Sequence, residues 1–226
     1  QVPLHRLVMS LSESLDHVSS SVTNHQLRVA YISTRMAGTM GYRGRRLRDV
    51  FHAGALHDIG LIRDEHRMRV EKTNDLEGLN WHAEAGYELL RDNEFFTDAA
   101  RMIRHHHIAW NNGRGAEKNG QPVDPASHIL ALADYVERST RSDIPILQQV
   151  SRITTKIVNN RGKLFHPDCV DAFLSVSQNQ AFWLDVVSTR IYSLLNSEIN
   201  WPTLMIDEDA VVGIAHVFGR VVDGLS

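Results

Sequence analysis

The sequence predicts an all-α fold, a helical bundle with helical extensions at both ends. Three observations carry that expectation. Apolar residues recur every three to four positions along most of the chain. Strand signals are scarce by comparison. At 226 residues and 42% hydrophobic, the chain can also bury a substantial core as one domain with an appendage.

The stripe begins with Leu4, Leu7, Val8, Leu11, Leu15, Val18 and Val22. It resumes after Thr23 and Asn24 with Leu27, Val29, Ile32 and Met36, and stops near Gly38 and Gly41. A further helix is expected from Arg45 to His57 through Leu47, Val50, Phe51, Ala55 and Leu56. The polar stretch from Gly60 to Asn80 reads as a loop with room for a short helix. Helices are then expected over 81–92, 97–107, 125–141, 144–160 and 167–176. Asn111-Asn112-Gly113-Arg114-Gly115 and Asn119-Gly120-Gln121-Pro122 are dense turn chemistry and predict a surface loop. One helix is expected over 180–196 and a break at Asn200-Trp201-Pro202. A last helix over 207–224, carrying Val211, Ile214, Val217, Val221 and Val222, either packs on the core or connects to a further module.

A net charge of −3 argues against a broad basic face for long nucleic acid, although a local anion pocket stays open. The single cysteine, Cys169, excludes an internal disulfide framework and fits a reducing, cytoplasmic compartment. No apolar run approaches the roughly 20 residues needed to span a bilayer. Gln1-Val2-Pro3 has no signal-peptide layout and no initiator Met, so the chain reads as a soluble piece of something longer.

Thirteen histidines carry the chemistry, and their placement matters more than their number. His57-Asp58 closes one expected helix, and His105-His106-His107 closes another. Asp134 lies in an otherwise apolar run, Ile129-Leu130-Ala131-Leu132-Ala133-Asp134-Tyr135-Val136. A lone carboxylate buried there costs several kcal/mol unless a cation or strong donors meet it. The plain alternative is pairing with Arg138 on the same helix. Imidazole and carboxylate together suit Fe, Mn, Zn or Ni, and the lack of nearby thiolates removes the cysteine-rich structural zinc class. His5, His17, His66, His128, His166 and His216 read as solvated residues or as core residues satisfied by carbonyls. His52 and His105 read as surface residues or supports of the neighbouring ligands.

In order, these pieces resemble the HD superfamily and, within it, the HD-GYP cyclic-dinucleotide phosphodiesterases, over roughly residues 20–175. The resemblance rests on His25 in Asn24-His25-Gln26-Leu27-Arg28-Val29-Ala30 and on Ala53-Gly54-Ala55-Leu56-His57-Asp58-Ile59-Gly60. It continues in His82 within Trp81-His82-Ala83-Glu84-Ala85-Gly86, in His106-His107 followed by Trp110, in Ile129 to Asp134, and in Phe165-His166-Pro167-Asp168. It implies an HD-domain helical bundle over 21–176, between a connector helix over 1–20 and a helical extension over 177–226. It also implies two divalent metal ions, Fe or Mn first, with Zn or Ni as alternatives. One ion would take His25, His57, Asp58 and Asp134; the other would take Asp58, His82, His106 and His107, with Asp58 shared. His57 and Asp58 would be the pair on which catalysis depends. The implied reaction is hydrolysis of a cyclic dinucleotide of the cyclic di-GMP type, a bacterial second messenger, by a water held between the metals.

The chain departs from the family outside the expected ligands. Leu61 stands where the family has a lysine, and Gly115-Ala116-Glu117 is the nearest match to the Gly-Tyr-Pro signature. Ser142-Asp143-Ile144-Pro145 replaces an Arg/Pro/Tyr stretch, and Ser21 stands where some relatives place a third-metal glutamate. Arg114, Arg104 and Arg141 are the candidates for substituted phosphate contacts. Two other readings therefore stand beside the first: a phosphohydrolase acting on another nucleotide, and a regulatory domain that holds metal without turnover. The terminal helices are expected to meet a second copy or an adjoining signalling module.

Overall fold

The computed structural model describes residues 1–18, 24–61, 80–198 and 203–223. The fold is an all-α bundle. In chain order a short strand β1 (Val2–Pro3) leads into α1 (Leu4–Val18), followed by α2 (His25–Thr39), α3 (Gly44–Leu56), α4 (Asn80–Leu90) and α5 (Thr97–Arg104). After a 3-10 turn at Asn111–Ala116 and a hairpin of β2 (Glu117–Lys118) and β3 (Gln121–Pro122) come α6 (Pro125–Arg138), α7 (Ile146–Asn159) and α8 (Pro167–Ser177). The remainder is α9 (Gln180–Val186), α10 (Ile191–Glu198), β4 (Met205–Ile206) and α11 (Glu208–Asp223).

Helix starts follow local chemistry. Asp124 accepts the Ala126 N–H at 2.9 Å, with Pro125 in the first turn where its missing donor costs nothing. His166 and Pro167 open α8 in the same way, through the Asp168 N–H. At α2, Asn24 adopts φ 66°, a left-handed conformation that asparagine tolerates better than most residues. That places His25 as the first helical residue.

The central pair is α2 and α3. A Cβ built on Gly54 would stand 2.7 Å from Ala30 Cα, so glycine is what permits the two backbones to approach this closely. α6 and α8 pack on α2, α5 packs on α3 and α4, and α1 covers α2 and α3. One continuous core includes Tyr31, Phe51, Phe96, Phe173, Phe182 and Trp183, all fully buried. Tyr31 donates to Asp185 at 2.8 Å, tying α2 to α9, and Trp183 donates to the Ser177 carbonyl at 2.9 Å.

Three expectations change. The helix expected over 180–196 is two helices, parted where Ser188 Oγ accepts the Arg190 N–H at 3.0 Å. A Ser side chain offers the backbone this alternative partner without any Gly or Pro to mark it. The loop after His107 is ordered into a 3-10 turn and a hairpin, with Trp110 N–H bonded to the Leu164 carbonyl at 3.0 Å. β1 pairs antiparallel with β4, Val2 opposite Ile206, and two-residue strands leave no period to read. The loop expected over most of 60–80 and the break at Asn200-Trp201-Pro202 lie outside the described residues. Among those described, no helix is long and apolar enough to cross a membrane.

Candidate metal centre

The seven side chains singled out above come from five helices and their ends. His25 opens α2; His57 and Asp58 follow α3; His82 is in the first turn of α4; His106 and His107 follow α5; Asp134 is one turn before the end of α6. They converge as two clusters. In the first, His25 Nε2 lies 3.3 Å from His57 Nε2, and Asp58 Oδ2 lies 3.5 and 3.4 Å from these two nitrogens. Asp134 Oδ1 lies 3.5 Å from His25 Nε2 and 3.9 Å from His57 Nε2. In the second, His82 Nε2 lies 3.0 Å from His107 Nε2, and the His106 ring packs 3.9 Å from the His107 ring. Asp58 joins the clusters, its Oδ1 being 3.2 Å from His82 Nε2.

The rings are aimed from behind. His57 Nδ1 donates to the Gly54 carbonyl at 2.9 Å, and His106 Nδ1 donates to the Ile103 carbonyl at 2.6 Å. His25 Nδ1 donates to Glu137 Oε2 at 2.6 Å. Fixing Nδ1 in this way turns each Nε2 inward, the tautomer that a metal-binding histidine uses. A further device seats His82. A Cβ on Gly60 would overlap the His82 carbonyl oxygen and stand 2.7 Å from Gly86 N. Only glycine lets the turn after Asp58 lie directly against α4.

The electrostatics of the clusters differ. At His25 burial opposes protonation, but Asp58, Glu137 and Asp134 outweigh it and hold the pKa well above 6.5. Those carboxylates favour positive charge at that point, whether a proton or a metal ion. Burial likewise works against ionised Asp58, yet His57, His25 and His82 hold its pKa well below 3.8. In the second cluster burial, reinforced by the neighbouring imidazoles, pushes His106 well below 6.5 and His107 down to about 3. Both rings are therefore neutral at physiological pH, the form that binds a cation. His106 Nε2 is buried with no hydrogen-bond partner among the described residues. An acceptor left in that state costs about 1–3 kcal/mol, and a bound cation would satisfy it. The donor set and this unpaired nitrogen fit a metal site, and two groups here, His82-His106-His107 and His25-His57-Asp58, have the spacing to hold an ion.

Glu137 was not anticipated. It is buried, three residues after Asp134 on the same face of α6, and it also faces Arg28, whose Nη1 is 3.4 Å from Oε1. The i, i+3 spacing from Asp134 was the available signal. His52 corrects the reading as a surface or supporting residue. It is fully buried between Phe51 and Phe96, with neither ring nitrogen partnered among the described residues, and burial pushes its pKa to about 3. Two of the candidate phosphate-binding arginines are paired with acids and the third is exposed. Arg104 makes two bonds to Glu84, at 2.7 and 2.8 Å, and lies 4.4 Å above the Tyr87 ring. Arg141 pairs with Asp143 at 2.7 Å, and Arg114 is exposed on the 3-10 turn. Ser21 lies outside the described residues.

The chain is similar to proteins of known activity. It is 23% identical over 233 aligned positions to 3′3′-cGAMP-specific phosphodiesterase 1 of Vibrio cholerae, which covers 100% of this chain and 54% of that protein. It is 28% identical over 167 positions to the cyclic di-GMP phosphodiesterase of Thermotoga maritima, covering 68% of this chain and 44% of that one. The chain thus spans about half the length of the curated relatives it matches. Among solved structures, a cyclic GMP-AMP specific phosphodiesterase of V. cholerae superposes with a TM-score of 0.77 at 18% identity. That match covers 99% of this chain and 61% of the other, a likeness of fold. The sequence profile of the HD domain matches residues 22–139, more than half of the chain, and the chain belongs to the HD domain family.

Proposed function

We propose that this chain is a metal-dependent phosphodiesterase that hydrolyses a cyclic dinucleotide. The observation that carries the reading is the position of Asp58, whose two oxygens face different clusters: Oδ2 faces His25 and His57, and Oδ1 faces His82. In this reading His25, His57, Asp58 and Asp134 would hold one divalent ion and Asp58, His82, His106 and His107 the other, with Fe or Mn first as the family resemblance implies and Zn or Ni also suited to the imidazole–carboxylate set. Such a pair of ions supplies Lewis acidity to a phosphate ester and acidifies a water. The protein's part is to keep the donors deprotonated and fixed. Glu137 and the Gly54 and Ile103 carbonyls hold His25, His57 and His106 by their outer nitrogens. The terminal helices, over 1–20 and 177–226, are read as the joints to a second copy or an adjoining module.

A second reading, a regulatory domain that holds metal without turnover, is favoured by Leu61, an uncharged residue directly after the Asp58 turn where the family resemblance implies a lysine. Metal analysis of the purified protein, followed by assay of cyclic di-GMP, 3′3′-cGAMP and a generic phosphodiester, separates the readings. The phosphodiesterase reading expects bound Fe or Mn and selective turnover of a cyclic dinucleotide. Hydrolysis of the generic ester alone would point to another HD phosphohydrolase. Full metal loading with no turnover, and none gained by Leu61→Lys, would point to the regulatory domain.

A further inference from the structure

Arg138 closes α6, four residues beyond Asp134, and its side chain is 47% exposed. Its Nη1 lies 3.7 Å from Asp134 Oδ2, while the other oxygen of the same carboxylate faces His25 and His57. The guanidinium thus stands one carboxylate away from the first cluster. Three other arginines are bonded to acids: Arg104 to Glu84, Arg141 to Asp143, and Arg28 to Glu137.

The i, i+4 contact joins a half-exposed guanidinium to a buried carboxylate, so solvent screens it from the arginine side. A separation of 3.7 Å is longer than the roughly 2.7–2.9 Å of a charge-assisted hydrogen bond. Among the described residues the guanidinium of Arg138 makes no hydrogen bond beyond its 3.7 Å contact with Asp134, which leaves its planar fork of donors available to an anion beside the first cluster. Arginine matches the oxygens of a phosphate in pairs, which an ammonium cannot do.

We propose that Arg138 is a substrate-binding residue that grips a phosphate oxygen of the nucleotide at the rim of the two clusters. This rests on the site reading given under Proposed function, and it differs from the plain alternative in which Arg138 only steadies Asp134. The two roles have opposite consequences for metal. Removing a cation beside Asp134 leaves metal binding intact or strengthens it if Arg138 serves substrate, and weakens it if Arg138 positions Asp134.

The test compares wild type, Arg138→Gln and Arg138→Lys after loading with manganese. Metal content is measured first, and each protein is then titrated with inorganic phosphate by calorimetry. The expected result is unchanged metal content in all three. The phosphate Kd should rise about ten- to hundredfold in Arg138→Gln, the loss of one charge-assisted contact, with partial recovery in Arg138→Lys. Equal Kd values with metal retained would overturn the proposal and leave the metal site standing. Loss of manganese from Arg138→Gln alone would overturn it in favour of the positioning role. A wild-type protein that takes up no manganese would bring down the site reading and this proposal with it.

Discussion

Glu137 Oε2 and His25 Nδ1 lie 2.6 Å apart, and this buried contact sets the direction of the first imidazole in the site. Arg28 stands behind the same carboxylate, at 3.4 Å from its other oxygen. Burial favours the neutral acid, but His25 and Arg28 outweigh it and hold the Glu137 pKa below 4.5, so the group stays ionised. An ionised carboxylate behind a ligating imidazole raises the basicity of its inner nitrogen.

Glu137→Gln should therefore keep the fold and lose metal. An affinity loss of about 10- to 100-fold is expected for a residue in this position. Competition with a fluorescent chelator measures it, and an unchanged affinity would mean that His25 is oriented by other contacts.

Asp58→Ala removes the carboxylate whose two oxygens face the two clusters, and it should abolish binding of both ions together. Replacement of Asp134 by Ala should weaken only the site at His25 and His57. Metal counting by mass spectrometry of the native protein reads the difference directly. If the Asp58 variant still holds one ion firmly, the carboxylate is not shared.

Gly60→Ala should be among the costliest single-methyl changes in the chain. The added Cβ meets the backbone of α4 at His82 and Gly86, which cannot yield as a flexible side chain can. Overpacking of this kind costs about 1–3 kcal/mol. Urea denaturation gives the loss. Because the displaced element carries His82, the ion at the second cluster should be lost before the one at the first.

His52 makes a pH-dependent contribution separate from the metal centre. In the folded protein its pKa is about 3, against an ordinary 6.5, because burial excludes the charged form. The unfolded chain therefore binds the extra proton first, and stability falls as pH drops from about 6.5 toward 3. At pH 5 the loss attributable to this residue is about 2 kcal/mol. Denaturation of the metal-free protein at pH 7 and pH 5, compared with His52→Phe, should reveal a smaller loss in the variant. Equal losses would show that the ring is protonated without penalty.

Much of this arrangement could be read from the sequence, and for physical reasons. The helices declared themselves by apolar spacing, and the Asp124-Pro125 and His166-Pro167 pairs sit where a helix start uses them. His57-Asp58, His106-His107 and Asp134 were conspicuous because they close a helix or interrupt an apolar run, where a polar group needs a partner, whereas His25 and His82 were marked by the family resemblance. Glu137 was hidden by its neighbour: an acid followed by Arg138 at a helix end looks like an ordinary solvated pair. His52 was misplaced because histidine is ordinarily polar, although it lies within Val50-Phe51-His52-Ala53, all of it buried. The division between α9 and α10 depends on a single serine hydroxyl, which no period records.

Gly54 has two tasks in one residue. Its missing side chain admits Ala30 of the neighbouring helix, and its carbonyl orients His57. Architecture and ligand geometry are consequently not insulated from each other here. Any substitution that wedges α2 and α3 apart will also swing an imidazole, so a defect in packing will register as a defect in ion binding before the bundle itself gives way.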